Sequence, residues 1–302
     1  MVCYMHIKHK KREIKMKKIV LYLILISLLL LLVGCSQSKP AQIIATTKPV
    51  YQFTAMLCEG TPLKVDLLIT ENVSCLHDYS LQVSQMRKLE SAELIVINGA
   101  GFEDFLSDAM PDTKNIIDCS ANVDLHCSPK DHHDDHSHEN DPHIWLNIQN
   151  AKIMAETICA ELYQKYPNYS DVFRNNLEKL NTKFASLDSM AQALNSLSCR
   201  ELITFHDGFT YLAESFDLHI IRAIEEESGA EASAQELISI IRDVDRYNLP
   251  AIFTEVSGSS AAAEVIHAET GVNVYELDMS LSERDYFEAM EHNIKTLKEA
   301  LE

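Results

Sequence analysis

Residues 168–197 read NYSDVFRNNLEKLNTKFASLDSMAQALNSL, a long amphipathic segment in the middle of the chain. Apolar side chains recur in it every three or four residues over about seven helical turns; they are Phe173, Leu177, Leu180, Phe184, Leu187, Met190, Leu194 and Leu197. No Gly or Pro interrupts the stripe, and residues 168–171 after Pro167 suit a helix start. A coiled coil would need more heptads and a paired copy. We therefore predict a monomer in which one rigid helix, residues 169–198, joins two lobes.

Short apolar runs on both sides of this helix predict two open parallel sheets. Most of the runs are continuous rather than alternating, which is typical of parallel strands buried on both faces. They lie at residues 42–46, 63–69, 93–97, 115–118, 202–205, 219–223, 251–254 and 273–277. Helical periodicity lies between them, for example at 81–91 and after the capping box that Ser233 and Glu236 form. The alternation predicts an α/β protein with an N-terminal lobe at 36–168 and a C-terminal lobe at 199–302.

The N-terminus predicts export. Residues 19–33 form an apolar run of 15 residues, broken only by Ser27, after a basic stretch. The run suits a signal peptide and is too short for a membrane-spanning helix. It ends in Leu-Val-Gly-Cys at 32–35, which resembles a bacterial lipobox. We expect residues 1–35 to be a lipoprotein signal and Cys35 to carry the lipid. Met16-Lys17-Lys18 is an alternative signal start, which would make residues 1–15 an over-extension. The alternative is an ordinary cleaved signal. Either way the folded part lies outside the cytoplasm, and in the first case it is anchored to the outer face of the cell membrane.

The composition favours a cation-binding chain over a nucleic-acid-binding one. Beyond Cys35 the chain holds 19 basic and 44 acidic residues, a formal net charge near −25. Phosphate contacts need clustered Lys and Arg, so we expect no nucleic-acid partner. Six cysteines follow Cys35 at irregular spacing without a CxxC pair, which argues against a zinc ribbon. Their spacing leaves both disulfides and buried thiols open.

Residues 126–141 are rich in His and Asp and carry no apolar periodicity. Such a segment cannot form a core and predicts a polar loop. Its imidazoles suit a weak, multidentate collector of zinc, and a merely solvated loop is the alternative. The collecting residues would be His126, His132, His133, His136 and His138.

Four metal-binding side chains stand at or near predicted strand ends, where open α/β sheets bind ligands. They are His77, His143, His206 and Asp278. Three imidazoles and one carboxylate suit tetrahedral Zn²⁺, whereas Ca²⁺ and Mg²⁺ take oxygen-rich shells. A lone His at a strand end is more often a cap or a core residue, so the spacing alone does not establish a site.

Several local patterns from residue 46 onwards resemble the metal-specific solute-binding proteins of bacterial ABC importers, the ZnuA/TroA-like group. They are His-Asp-Tyr at 77–79 with the strand after it, Asp-Pro-His-Ile-Trp-Leu at 141–146, and Phe-His-Asp-Gly-Phe at 205–209, where the group has Phe-His-Asp-Ala-Phe. The resemblance implies two lobes, a rigid linking helix, a metal site in the cleft, and an ABC permease as partner. It implies His77, His143 and His206 as ligands and Asp278 as the fourth, with Glu255 or water as alternatives. The His-rich loop before the second pattern is typical of the zinc-specific branch, so Zn²⁺ is expected as transported ligand rather than catalytic cofactor.

The sequence disfavours three alternatives to zinc capture. Manganese-specific members of the group tend to carry Glu where His206 stands, which disfavours a manganese or iron carrier. An exported zinc hydrolase would need an open coordination position and a base, and the sequence contains no HExxH, GxSxG, P-loop or GxGxxG pattern. A surface adhesin would need repeats or an exposed apolar patch, and no repeat is visible. We expect no enzyme activity.

Overall fold

The structure is a computed structural model, and it describes residues 16, 42–71, 79–106, 115–126, 140–225, 232–256, 258 and 260–302. Within these ranges it contains the two α/β lobes that the sequence predicts. Cys35, His77 and four of the loop histidines (132, 133, 136 and 138) lie outside the described residues.

The N-terminal lobe is built on a parallel sheet. Its strands are β1 (Gln42–Ala45), β2 (Lys64–Leu67), β3 (Leu94–Ile97) and β4 (Asn115–Asp118), in the order β2-β1-β3-β4. The same lobe contains three helices, α1 (Lys48–Cys58), α2 (Val83–Ser91) and α3 (Ile148–Lys165). Because β2 and β3 lie on opposite sides of β1, the sheet has a switch point between β1 and β3, where α/β proteins bind ligands.

The C-terminal lobe repeats this topology. Its strands are β5 (Glu201–His206), β6 (His219–Glu225), β7 (Ala251–Glu255) and β8 (Asn273–Leu277), all parallel, in the order β6-β5-β7-β8. The switch point therefore lies between β5 and β7. The eight predicted strands are confirmed within one or two residues at their ends. His206, which the sequence placed just after a strand, is the last residue of β5.

The predicted linking helix is present as α4 (Ser170–Ala191), and a 3-10 segment, Gln192–Ser196, continues it. Its stripe is buried at Phe173, Leu180, Phe184 and Leu187. The helix packs against α1 and α3 of the first lobe and against the C-terminal helix α8 (Tyr286–Leu301). Each such buried apolar side chain stabilises the helix by about 1.5–3 kcal/mol, so packing rather than capping holds α4 in place.

The remaining helices are short elements of the second lobe: α5 (Thr210–Ser215), α6 (Ala234–Tyr247) and α7 (Ala261–Thr270). The predicted capping box at Ser233 and Glu236 begins α6. In the described part of the chain, no helix combines the length and apolar character that crossing a membrane requires. The described cysteines are free thiols, buried at Cys58, Cys119 and Cys159 and half-buried at Cys199.

Candidate metal centre

His143 is oriented by a carboxylate two residues before it. Its side chain is only 2% exposed, and its Nδ1 lies 2.8 Å from Oδ1 of Asp141, which also accepts the backbone N–H of His143 at 2.9 Å. A nitrogen this close to a carboxylate oxygen carries the ring proton, which leaves the lone pair on Nε2. Burial acts to raise the pKa of Asp141, but its hydrogen bonds and ionic contact with His143 outweigh burial and lower it. Asp141 therefore stays ionised and keeps the ring in one tautomer.

The lone pair on Nε2 of His143 faces no hydrogen-bond donor in the part of the chain that the structure describes. Its Nε2 is buried and has no hydrogen-bond partner among the residues that the structure describes. A buried polar atom without a partner costs about 1–3 kcal/mol, so it needs a reason. Phe102 and Trp145 pack against the ring, with centroids 5.6 and 5.3 Å from it, and keep water away. A desolvated imidazole lone pair is a donor that Zn²⁺ accepts readily.

His206 belongs to the other lobe, and its ring lies next to that of His143. As the last residue of β5 it stands at the switch point of the second sheet, and its ring centroid lies 5.2 Å from that of His143 at an angle of 89°. Gly208 lies beneath both rings. A Cβ on Gly208 would be 2.7 Å from Cε1 of His143 and 2.8 Å from Cδ2 of His206, closer than side chains tolerate. The missing side chain leaves room for the position that the two imidazoles take here.

Asp278 is held by its own turn. It directly follows β8 and is 1% exposed. Its Oδ1 accepts the backbone N–H of Ser280 at 2.8 Å, and its Oδ2 accepts the Ser282 hydroxyl at 2.6 Å and Nη1 of Arg284 at 3.0 Å. Three of the roughly four lone-pair sites of the carboxylate are therefore in use. Among the described residues, no three or more His, Cys, Asp or Glu side chains are already grouped to hold a metal, and the carboxylate of Asp278 is engaged by its own turn.

A loop after β3 supports the backbone next to His143. Asn98 donates from Nδ2 to the carbonyl of Pro142 at 2.9 Å. The carboxylate of Glu103 accepts the backbone N–H groups of Asn98 and Gly99 at 2.7 and 3.0 Å, together with the hydroxyl of Thr46. Burial raises the pKa of Glu103 to about 7, despite these hydrogen bonds. Glu103 therefore anchors the segment on which the His143 backbone rests.

The other candidate residues lie apart from this pair. His126 is half exposed, and its Nδ1 lies 2.7 Å from Oε1 of Glu214. Its carbonyl accepts the backbone N–H of Asp141 at 3.1 Å, so the two ends of the His-rich segment meet beside the His143 turn. Glu255 is buried as the last residue of β7, at the same sheet edge as His206. His77 and the other loop histidines cannot be compared with the pair, because they lie outside the described residues.

Comparison with known proteins decides the family. A family model described as ZnuA, zinc-uptake complex component A, periplasmic, matches residues 43–300. The chain belongs to the ZnuA family. Its resemblance to ZnuA-like proteins, predicted from three short patterns, is thereby confirmed over nearly the whole described fold.

Two curated relatives and one structure illustrate the similarity of this ZnuA-family chain. It is 30% identical to the zinc-binding lipoprotein AdcA of Streptococcus pneumoniae (strain ATCC BAA-255 / R6), covering 94% of this chain and 61% of AdcA. It is 24% identical to the high-affinity zinc uptake system protein ZnuA of Bacillus subtilis (strain 168), covering 88% and 89%. A crystal structure of ZnuA shares 28% identity with a TM-score of 0.76, covering 87% of this chain and 100% of that one. The chain thus spans about three fifths of the length of AdcA.

Sequence reasoning missed the residues that arrange the site. Asp141 was part of a quoted pattern but had no role, although a carboxylate two residues from a ligand His is a usual partner for its second nitrogen. Gly208 was visible as a departure from the Ala of the family pattern. Arg284 gave no signal, because its contact with Asp278 depends on the shape of the turn. The ligand set itself remains a prediction.

Proposed function

We propose that this chain is the extracytoplasmic zinc-binding component of an ABC metal importer, which captures Zn²⁺ and delivers it to a membrane permease. The pairing of His143 with His206 across the two lobes carries the proposal. Two nitrogen donors form the start of a shell that suits Zn²⁺ and not Ca²⁺ or Mg²⁺, and one of them is a buried lone pair without a partner among the described residues. We add His77 and Asp278 as the other two ligands, as the family resemblance implies.

The relatives support zinc as the cargo and a lipid as the anchor. AdcA of S. pneumoniae is named a zinc-binding lipoprotein, and ZnuA of B. subtilis a high-affinity zinc uptake protein. We propose by extension that Cys35 carries the lipid and that the chain works beside its permease at the outer face of the membrane. On this proposal the chain binds and releases metal and performs no catalysis.

The residues of the chain prepare the donors before metal arrives. Asp141 holds the proton on Nδ1 of His143, so that Nε2 needs no tautomer change to coordinate. Phe102 and Trp145 exclude water from the ring, which strengthens a metal–imidazole contact relative to bulk solvent. Coordination requires neutral imidazole, so zinc is held above the titration range of histidine, near pH 6.5, and released as the pH falls through it.

The test is metal selectivity of the purified protein. We expect one tightly held Zn²⁺ per chain by elemental analysis after dialysis, resistant to an excess of Mn²⁺ and weakened about tenfold or more between about pH 7.5 and pH 5.5. Displacement of zinc by equimolar Mn²⁺, or affinity that does not depend on pH in this range, would contradict an imidazole-based zinc site.

A further inference from the structure

We propose that Arg284 withholds Asp278 from the metal, so that the ion pair between them decides whether zinc gains a fourth protein ligand. The inference rests on the proposed function, since it takes zinc to bind in the cleft at His143 and His206. Asp278 then has two partners that compete for one carboxylate: the guanidinium of its own turn and the incoming cation.

The contacts of Asp278 make this competition direct. Oδ2 lies 3.0 Å from Nη1 of Arg284 and 2.6 Å from the hydroxyl of Ser282, while Oδ1 is occupied by the N–H of Ser280. The carboxylate is 1% exposed, so Arg284 compensates a charge that water cannot reach. Arg284 itself is 41% exposed, and can therefore swing into solvent without losing its hydration.

The turn around Asp278 is fixed at both ends. Asn293 accepts the backbone N–H of Asp278 at 2.7 Å and donates to its carbonyl at 2.8 Å. Trp145, two residues after His143, donates from Nε1 to the carbonyl of Met279 at 2.7 Å. Lys48 donates to the carbonyl of Ser282. These hydrogen bonds fix the backbone of the turn against the first lobe. If the Asp278 carboxylate exchanges Arg284 for zinc, only the side chains of Asp278 and Arg284 need to move.

Removing Arg284 should therefore favour the metal. An unpaired charge in a low-dielectric site is unfavourable, so a buried carboxylate that has lost Arg284 should bind a new cation strongly. In the unaltered protein the free energy of zinc binding is less favourable, because zinc must first replace Arg284. The Arg284–Asp278 pair thus lowers zinc affinity to a level from which the metal can be released.

A double-mutant cycle on the purified protein tests this. Zinc affinity is measured by competition with a chelating dye for the unaltered protein, Arg284→Gln, Asp278→Asn and the double variant. We expect Arg284→Gln to tighten zinc about tenfold, equivalent to about 1.4 kcal/mol, when Asp278 is present, and to have no comparable effect in the Asp278→Asn background. The melting temperature of metal-free Arg284→Gln should fall, and zinc should restore it.

Two matched variants distinguish the effect of the Arg284–Asp278 pair on zinc affinity from a general effect of charge. Arg222→Gln removes an arginine from another ion pair of the same lobe, with Asp243 at 2.8 Å, and should leave zinc affinity unchanged. Arg284→Lys keeps the positive charge at Asp278 and should not tighten zinc. Both variants keep Asp278, so their zinc affinities can be compared with those of the unaltered protein and Arg284→Gln even if the two variants that carry Asp278→Asn fold poorly.

The outcomes distinguish this inference from the function on which it rests. Equal tightening with and without Asp278, or weaker binding in Arg284→Gln, overturns the inference alone, since Arg284 would then act as a distant charge or as a support for the carboxylate. Zinc that is retained with full affinity in His206→Ala overturns the proposed function and the inference together.

Discussion

His143 and His206 meet over Gly208, and three neighbouring side chains decide what their rings can do. Asp141 sets the tautomer of His143, while Phe102 and Trp145 remove water from it. Nε2 of His143 therefore presents its lone pair before the metal arrives.

Asp141→Asn should weaken zinc binding by about 10- to 100-fold, the usual effect of losing the partner of a ligand histidine. Asn removes the negative charge that holds the proton on Nδ1, so either ring nitrogen of His143 can then carry it. Isothermal titration or dye competition measures the change. Asp171→Asn is the matched control, because Asp171 pairs with Arg174 on the surface of α4, away from the two imidazoles. Equal affinities in both variants would show that Asp141 does not prepare the ligand.

Gly208→Ala should destabilise the metal-free protein by about 1–3 kcal/mol, the usual cost of overpacking. The added methyl would lie 2.7–2.8 Å from atoms of both imidazoles, so the rings must separate. Thermal unfolding without metal measures the effect. Gly258→Ala is the control, since its nearest contact would be the Cβ of Glu255 at 3.3 Å. An unchanged melting temperature would mean that the rings do not rest against Gly208.

At the scale of elements, the loop after β3 carries the backbone of the metal site. Glu103 accepts two backbone N–H groups of this loop, and the side chain of Asn98 donates a hydrogen bond to the carbonyl of Pro142. A carboxylate is unusual in such a buried place, and its raised pKa records the unfavourable burial of its charge.

Glu103 should make the stability of the protein depend on pH. Its pKa is about 7 in the folded protein against an ordinary 4.5, so between these values the folded chain holds a proton that the unfolded chain has lost. The free energy of unfolding should therefore fall as the pH rises from about 4.5 to about 7. In Glu103→Gln this part of the decline should be absent, although the variant loses about 1–3 kcal/mol overall because the amide N–H faces backbone donors.

Urea unfolding of metal-free protein at several pH values measures this slope. Glu178→Gln, at an exposed glutamate on α4, is the matched control and should keep the slope of the unaltered protein. The same slope in Glu103→Gln would show that other groups, such as the histidines, produce the dependence.

The elements were predictable from the sequence where burial alone determines them. The eight strands are apolar runs that need both faces covered, and the stripe from Phe173 to Leu187 can only be buried along a helix. Partners were not predictable where a turn decides them. Asp278 as the fourth ligand stays a prediction, but its contact with Arg284 was not predictable, because the backbone from 278 to 286 curls into a turn that no periodicity reveals.

At the scale of the whole molecule, the two lobes share contacts beyond the linking helix. Tyr286 of α8 is fully buried against Phe53 of α1 and Phe184 of α4, with ring centroids 4.8 and 6.1 Å away. Its hydroxyl donates to the carbonyl of Trp145 at 3.0 Å. One hydrophobic core therefore runs from the first sheet through α4 to the C-terminal helix, which favours small side-chain changes over a wide hinge motion when metal binds.

The His-rich segment should be dispensable for tight binding. Its ends meet where the backbone N–H of Asp141 donates to the carbonyl of His126, so removing residues 130–139 leaves a connection that can still close. We expect the deletion to change the affinity of the first zinc by less than about threefold, and to remove weaker zinc equivalents in titrations. The full-length protein is the control. Loss of the tight site in the deletion variant would assign the metal to the segment rather than to the cleft.

The most direct test of the account is zinc affinity in His143→Ala, His206→Ala and the control His292→Ala. His292 is a half-buried residue of α8 whose Nε2 lies 3.0 Å from the carbonyl of Glu276, away from the pair. We predict that each of the first two loses about a hundredfold or more in affinity, because each removes a metal donor, and that the control loses none. Full zinc affinity in His143→Ala and His206→Ala would contradict the account, since the metal would then bind elsewhere.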